Sequence, residues 1–357
     1  MAAEATASMS GHAPTRPYPP SWLDRLFNAI SRIPGPTWLA YLVLVVPMIL
    51  LNSTSRWLSG LTPWGEIDPS QAFWALMTVA VVGANHHLRN VAGSSFDAFR
   101  PALGTGVTDP ERARYELTTM PARAILLVTI FSIVITPAYY LADPKAAQII
   151  GFNGAGFAVR VVSEGITSAV IVAILFQGIR QARRVNRLHA VATDVDPFRP
   201  APLHAFSRLT AQTGLVLVAF NAVGVFANPT TITSEAMVGL YLPWLLTFVI
   251  GAIAVFTLPL LGMHRRLQTI KDTLEAAGGG RLRALLLELD QAVDARDSER
   301  VDALDRMVGA LRREREVLAQ LPTWPWSTTT LRGFGSALLL PIGLFLVQRY
   351  LGAALGG

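Results

Sequence analysis

Apolar stretches long enough to cross a bilayer recur along this chain of 357 residues, and the basic residues between them fall almost entirely into alternate connecting segments. Of the 30 Lys and Arg residues, 26 lie within residues 1–35, 87–123, 180–208 and 264–332; only Arg56, Lys145, Arg160 and Arg349 lie elsewhere. A hydrocarbon core about 30 Å thick takes roughly 20 apolar residues per helix. Seven stretches approach or meet that length, at residues 38–51 with their flanks, 72–86, 122–141, 157–179, 209–227, 237–262 and 331–351. Backbone facing lipid must satisfy its own hydrogen bonds, which makes these segments helices. Basic residues in short loops stay on the cytoplasmic side. The spacing therefore predicts an all-α, polytopic bundle of about seven transmembrane helices, with the N-terminus inside and the C-terminus outside. Removing any one helix from the count would put basic loops on both sides.

Four regions follow. Residues 1–35 are a disordered or amphipathic cytoplasmic N-terminus, and 36–263 hold the first six spanning helices. Residues 264–322 form a cytoplasmic, coiled-coil-like helical insertion before the last helix; 323–357 combine an interfacial Trp segment with the seventh. Within the insertion, Val301, Leu304, Val308, Leu311 and Leu318 follow steps of three and four, with Arg315 interrupting the heptad. Gly278-Gly279-Gly280 predicts a break in the helix before it, and residues 295–298 a turn capped by Asp297 or Ser298.

With 52% hydrophobic and only 15% charged residues, the chain reads as a multi-pass protein of a bacterial inner (plasma) membrane. Its start has no apolar core of the kind that marks a cleavable signal, so the first spanning helix serves as the insertion signal. Cysteine is absent, which excludes disulfides, thiolate metal sites and cysteine nucleophiles. The net charge of +6 comes from basic residues flanking apolar segments, so it points to the lipid bilayer and not to nucleic acid.

The costliest residues are in the fourth apolar stretch. Arg160 and Glu164 stand one turn apart, with Ser163, Thr167 and Ser168 near the same face. A charge at that depth costs a few kcal/mol, roughly, unless it is paired or wetted. Two readings stay open: the lining of an ion or solute path, or an intramembrane ion pair that pins the helix. Asn221, in a fifth stretch rich in small and hydroxylated residues, joins the candidate pathway. His86, His87, His189, His204 and His264 map to the cytoplasmic face, as a metal, haem or pH-sensing cluster or as interfacial side chains. They lack the spacing of a metal-binding helix motif, so no metal and no cofactor is expected. Trp324 and Trp326 are expected as interfacial anchors. No phosphate-binding loop, zinc-protease motif or nucleophile elbow is present, and no catalytic residue is expected.

Residues 321–342, with Leu-Pro-Thr-Trp-Pro-Trp, then Leu331-Arg332-Gly333-Phe334 and the run 338–341, together with Tyr-Glu-Leu-Thr-Thr-Met-Pro-Ala-Arg at 115–123, resemble uncharacterised bacterial multi-pass membrane proteins. The architecture, an inside N-terminus and a cytoplasmic insertion before a final helix, resembles the inverted seven-helix chemoreceptor channels of insects. That resemblance implies a last helix lining a pore and cytoplasmic helices joining subunits. Gln348 follows an apolar run as in those channels, but Leu340-Pro341 stands in place of their Thr-Tyr and Arg349 in place of their Phe. The expected function is an oligomeric ion or solute channel or sensor, gated or assembled through its cytoplasmic helices. The alternatives are a non-conducting scaffold that docks a cytoplasmic protein through 264–322 and, third, an integral-membrane enzyme.

Overall fold

The computed structural model describes residues 16–142, 154–227, 235–326 and 328–355. The expected tail up to residue 15, Lys145, Ser327, Gly357 and the side chains of Gln348 and Arg349 lie outside the described residues. The described chain is helical throughout: α1 (Trp22–Ile30), α2 (Thr37–Leu58), α3 (Pro69–Leu103), α4 (Pro110–Thr118), α5 (Ala122–Ala142), α6 (Gly154–Val191), α7 (Pro200–Leu203), α8 (Ala205–Ala227), α9 (Glu235–Asp294), α10 (Ser298–Ala319) and α11 (Thr328–Leu355). Four helices contain segments long and apolar enough to cross a membrane, Thr37–Leu58, Gly154–Val191, Leu246–Asp294 and Thr329–Val347; the apolar part of α5, Ala122–Pro137, is shorter. Each of the seven apolar stretches read from the sequence lies within one helix, in α2, α3, α5, α6, α8, α9 and α11.

The sequence places helix boundaries too early at one end. Asp68 caps α3 through Ser70 N–H, with Pro69 at the first position, but the helix does not stop at His86. It runs on to Leu103, where Gly104 takes a φ of 54°. At 1.5 Å per residue, the 35, 38 and 60 residues of α3, α6 and α9 span about 52, 57 and 90 Å, well beyond a hydrocarbon core. Their extensions meet at one end of the molecule. There Phe96, Phe99 and Leu103 of α3, Val185 and Leu188 of α6, Phe206 and Leu209 of α8, and Leu260, Met263 and Leu267 of α9 form one buried core. Most of the basic segments belong to this end. At the opposite end, Arg56 of α2 pairs with Asp68 before α3 at 3.1 Å, and Gly156 of α6 lies against Ser55 and Ser59.

α6 packs against α2, α3, α5 and α9, while α8 packs against α3, α9 and α11. The α5–α6 contact depends on Gly165, where a Cβ would stand 2.6 Å from Ile133 Cγ1 and 2.9 Å from its Cα. Leu42, Val43 and Val46 of α2, Leu127, Phe131 and Val134 of α5, Ile250 of α9 and Leu339 of α11 are exposed. So large an apolar surface has a physical partner in lipid, not water.

The expected break at Gly278-Gly279-Gly280 is absent: α9 passes through all three. A helix interior tolerates Gly at about 1 kcal/mol each relative to Ala, and α10 packs alongside to offset it. The turn at 295–298 does form, with Arg296 at a φ of 56° and Asp297 Oδ1 accepting from Arg300 N–H at 3.1 Å. α10 then returns antiparallel along α9, burying Leu304, Val308 and Leu318. Arg281–Glu314 (3.2 Å) and Lys271 Nζ donating to the Ala319 carbonyl (2.7 Å) flank the hairpin.

Residues 16–20, expected within a disordered tail, are packed. Ser21 N–H donates to Met120 O (3.0 Å) and Ala122 N–H to Pro19 O (3.1 Å), so this segment runs beside the α4–α5 turn as a strap.

Candidate functional site

The costly side chains of α6 are joined by polar groups from α2 and α3. Arg160 Nε donates to Glu164 Oε1, one turn away on α6. Arg160 Nη1 also reaches Gln71 Oε1 of α3 at 3.4 Å. Ser163 donates to Asn52 Oδ1 of α2, whose Nδ2 donates to the Gln71 carbonyl at 3.2 Å. Deeper along the same interface, Thr167 and Thr78 hydroxyls lie 2.9 Å apart, and Asn85 Nδ2 donates to Val81 O and Val170 O. This ladder crosses three helices. In a low-dielectric setting each bond between side chains also removes an unpaired polar group, so the seam specifies how α2, α3 and α6 register.

The structure thus brings together Arg160, Ser163, Glu164 and Thr167, and it adds Asn52, Gln71, Thr78 and Asn85. Ser168 is half-buried on α6 and supplies none of these bonds. Asn221 is buried on α8, a helix outside the ladder. The added residues carry no signal in their own neighbourhoods: Asn52 sits where an apolar run ends, and Gln71 precedes the next.

The five histidines do not converge. His86 accepts or donates at Tyr41 Oη (2.6 Å) and stacks on Phe27, while His87 meets Gln212 Oε1 at 3.0 Å. His189 is buried edge-on to Phe99 and Phe206, and His204 opens α8 with its carbonyl accepting from Ser207 Oγ. His264 Nδ1 meets the Thr323 carbonyl at 2.9 Å and its ring stacks on Trp324 at 3.6 Å. Sharing one end of the molecule did not place them on facing helix surfaces. Among the described residues no group of three or more His, Asp or Glu side chains is placed to hold a metal ion.

Trp324 and Trp326 belong to a longer array. Trp324 stacks on Trp326 (4.6 Å), Trp326 on Phe256 (5.1 Å) and Phe256 on Phe334 (4.1 Å). With His264 this makes five rings joining α9, the connecting segment and α11. Face contacts of this kind are worth about 0.5–1.5 kcal/mol each beyond area burial. Trp324 remains 42% exposed, which leaves one face for the surroundings.

A second polar centre surrounds Asp24, a fully buried residue of α1. Its Oδ2 accepts from Ser21 Oγ (2.6 Å), Ser21 N–H (3.3 Å) and Met120 N–H (2.9 Å). Ser21 Oγ in turn accepts from Asp24 N–H, completing a capping box. Arg89 of α3 approaches Oδ1 at 3.9 Å. Burial pushes the Asp24 carboxyl above its ordinary range, against the lowering by these hydrogen bonds and by Arg89. Nearby, Tyr18 donates to Thr119 O (3.0 Å) under the Arg180 guanidinium, which also donates to Thr119 O (2.6 Å).

Two clefts of about 360 and 350 Å³ open beside this strap, sharing Asn28, Arg89, Arg114 and Thr118. Their arginines are largely neutralised. Arg114 donates twice to Asp97 at 2.9 and 3.0 Å, which holds that carboxyl below its usual range, and Arg112 pairs with Glu116 at 3.3 Å.

Comparison with protein-family models, curated proteins and solved structures returns no match to this chain. The geometry defines an all-helical protein with four candidate membrane-spanning helices, a polar seam among α2, α3 and α6, and a helical hairpin projecting from its basic end.

Proposed function

We propose that the protein is a membrane sensor, a homo-oligomer that relays changes in helix packing within the bilayer to its cytoplasmic hairpin. In this reading α2, α3, α5, α6, α8, α9 and α11 cross a bacterial inner membrane, with the strap and the α9–α10 hairpin inside and α11 ending outside. The observation that carries it is continuity: α3, α6 and α9 run without a break from the apolar belt into the buried core at the basic end. A rotation or tilt of one helix in lipid is then delivered to that core as a rigid-body displacement. The hairpin supplies the output surface. Met307, Val317, Leu287 and Val293 are exposed there, and a second hairpin from another copy, or a soluble partner, would cover them.

A channel is the second reading. What favours it is the polar seam, in which Arg160 and Glu164 keep 17% and 30% of their side-chain surface exposed.

Proteoliposome flux with a panel of ions and small solutes separates the two. Silence from reconstituted protein of intact oligomeric size supports the sensor, and flux abolished by Glu164→Gln overturns it in favour of the channel. Orientation is tested on the cysteine-free background by single-cysteine labelling with an impermeant thiol reagent. Glu66→Cys is expected to react in intact cells and Asp290→Cys only after lysis; the reverse pattern overturns the orientation.

A further inference from the structure

We propose that the exposed face of α6, where the helix leaves the apolar belt, binds the phosphodiester headgroup of an anionic phospholipid on Arg183 and Arg187. Phe176, Ile179, Arg180, Arg183, Arg184 and Arg187 line one shallow groove of about 290 Å³. Their steps of three and four put them on a common side of the helix. Polarity changes in order along it: Phe176 is half-buried and Ile179 50% exposed, and the four guanidiniums follow over about 10 Å of helix axis. A phospholipid has the same order from acyl chain to phosphate.

The four arginines are not equivalent. Arg180 is committed to Thr119 O and Tyr18, and Arg184 to Glu116. Arg183 and Arg187 are exposed, and no carboxylate among the described residues lies within ion-pair distance of either. That contrasts with exposed Arg100 and half-buried Arg114 at the same end of the molecule, each of which is paired. Two adjacent guanidiniums left uncompensated, one turn apart and directly beyond apolar side chains, fit a phosphate presented from a membrane surface. Guanidinium is the side chain best matched to phosphate, through paired N–H donors. A free phosphate ion has the charge but nothing for Phe176 and Ile179. The inference needs α6 to span the membrane and does not depend on the sensor reading.

The test uses the full chain in detergent, with binding read by native mass spectrometry against phosphatidylglycerol and phosphatidylcholine of identical acyl chains. Wild type is expected to retain phosphatidylglycerol preferentially. Since one arginine near an anionic surface contributes roughly a fivefold gain, R183A/R187A is expected to lose about 25-fold in affinity. The charge-matched control R312A/R313A, on the exposed face of α10, is expected to bind as wild type. If the double variant does not fold, R183Q and R187Q singly are each expected to lose about fivefold. Equal losses in R183A/R187A and the control, no preference for phosphatidylglycerol, or displacement of the lipid by equimolar inorganic phosphate would each overturn the proposal.

Discussion

Replacing Asp24 with alanine would remove the three hydrogen bonds its carboxylate accepts, two of them the N3 half of the α1 capping box, while Ser21 Oγ still caps the backbone N–H of residue 24. The two bonds from Ser21 together contribute about 1 kcal/mol. Met120 N–H, which now donates to Asp24 Oδ2 at 2.9 Å, would lose its acceptor in a buried setting, at about 1–3 kcal/mol. Against this, the variant no longer buries a carboxylate, so we expect a net loss of about 1–3 kcal/mol. Asp24→Asn is different. It keeps an acceptor for Met120 and Ser21 and drops the charge that burial disfavours, so it should fall within about 1 kcal/mol of wild type. The pH dependence has a definite sign. Because burial raises the carboxyl above the ordinary aspartate value of 3.8, the folded state holds the proton more tightly than the unfolded chain. The stability from this group is fully present below that ordinary value and is lost as pH rises through the raised one. Denaturant unfolding in detergent, read as wild type minus Asp24→Asn across mildly acidic pH, isolates it from carboxylates such as Asp97 that shift the other way. Asp24→Asn as damaging as Asp24→Ala, or a difference flat with pH, would refute the reasoning.

Glu164→Gln strands Arg160 in the seam and should cost about 2 kcal/mol, less than the 3–5 of a fully buried pair because both side chains are partly exposed. Adding Arg160→Met should recover much of it in the same unfolding assay, and a double variant no better than the single would exclude a structural pair. Leu304→Asp with Val308→Asp puts two carboxylates into the buried α9–α10 contact and should expose α10 to limited proteolysis; unchanged cutting would show that the hairpin does not depend on that contact. Gly165→Ala should lose about 1–3 kcal/mol by pushing α6 off Ile133, whereas Gly251→Ala, with no atom near its added Cβ, should not destabilise. Equal thermal stability for the two would mean that α5 is free to shift.

The parts of this fold legible in the sequence were those set by a local constraint. Lipid demands an unbroken apolar run, and each run fell within one helix. Beyond residues 86, 179 and 262 that demand ends, and arginines such as Arg89 and Arg184 read as loop although they sit on continuing helices. The glycine triplet misled for a related reason, since its propensity cost is local while the packing by α10 that offsets it is not. The site divides the same way. Arg160 and Glu164 are conspicuous as charges within an apolar run, but Gln71 and Asn52 lie 89 and 111 residues from the side chains they meet, and only the folded arrangement pairs them. The capping box Ser21–Asp24 is a local pattern, whereas the Met120 N–H that makes Asp24 a tertiary anchor is 96 residues away.

The continuity of α9 through Gly278, Gly279 and Gly280 gives this long rod a built-in point of compliance. Nothing lies within 4 Å of where their side chains would be, so no Cβ there restricts the backbone or packs against α10. Under a bending load, a rod yields where its stiffness is least, and here that place is about half a turn short of the Arg281–Glu314 clasp. The bending rigidity of α9 beyond its apolar stretch is therefore borrowed from α10, and a chain in which α10 is peeled away would bend first near residue 279.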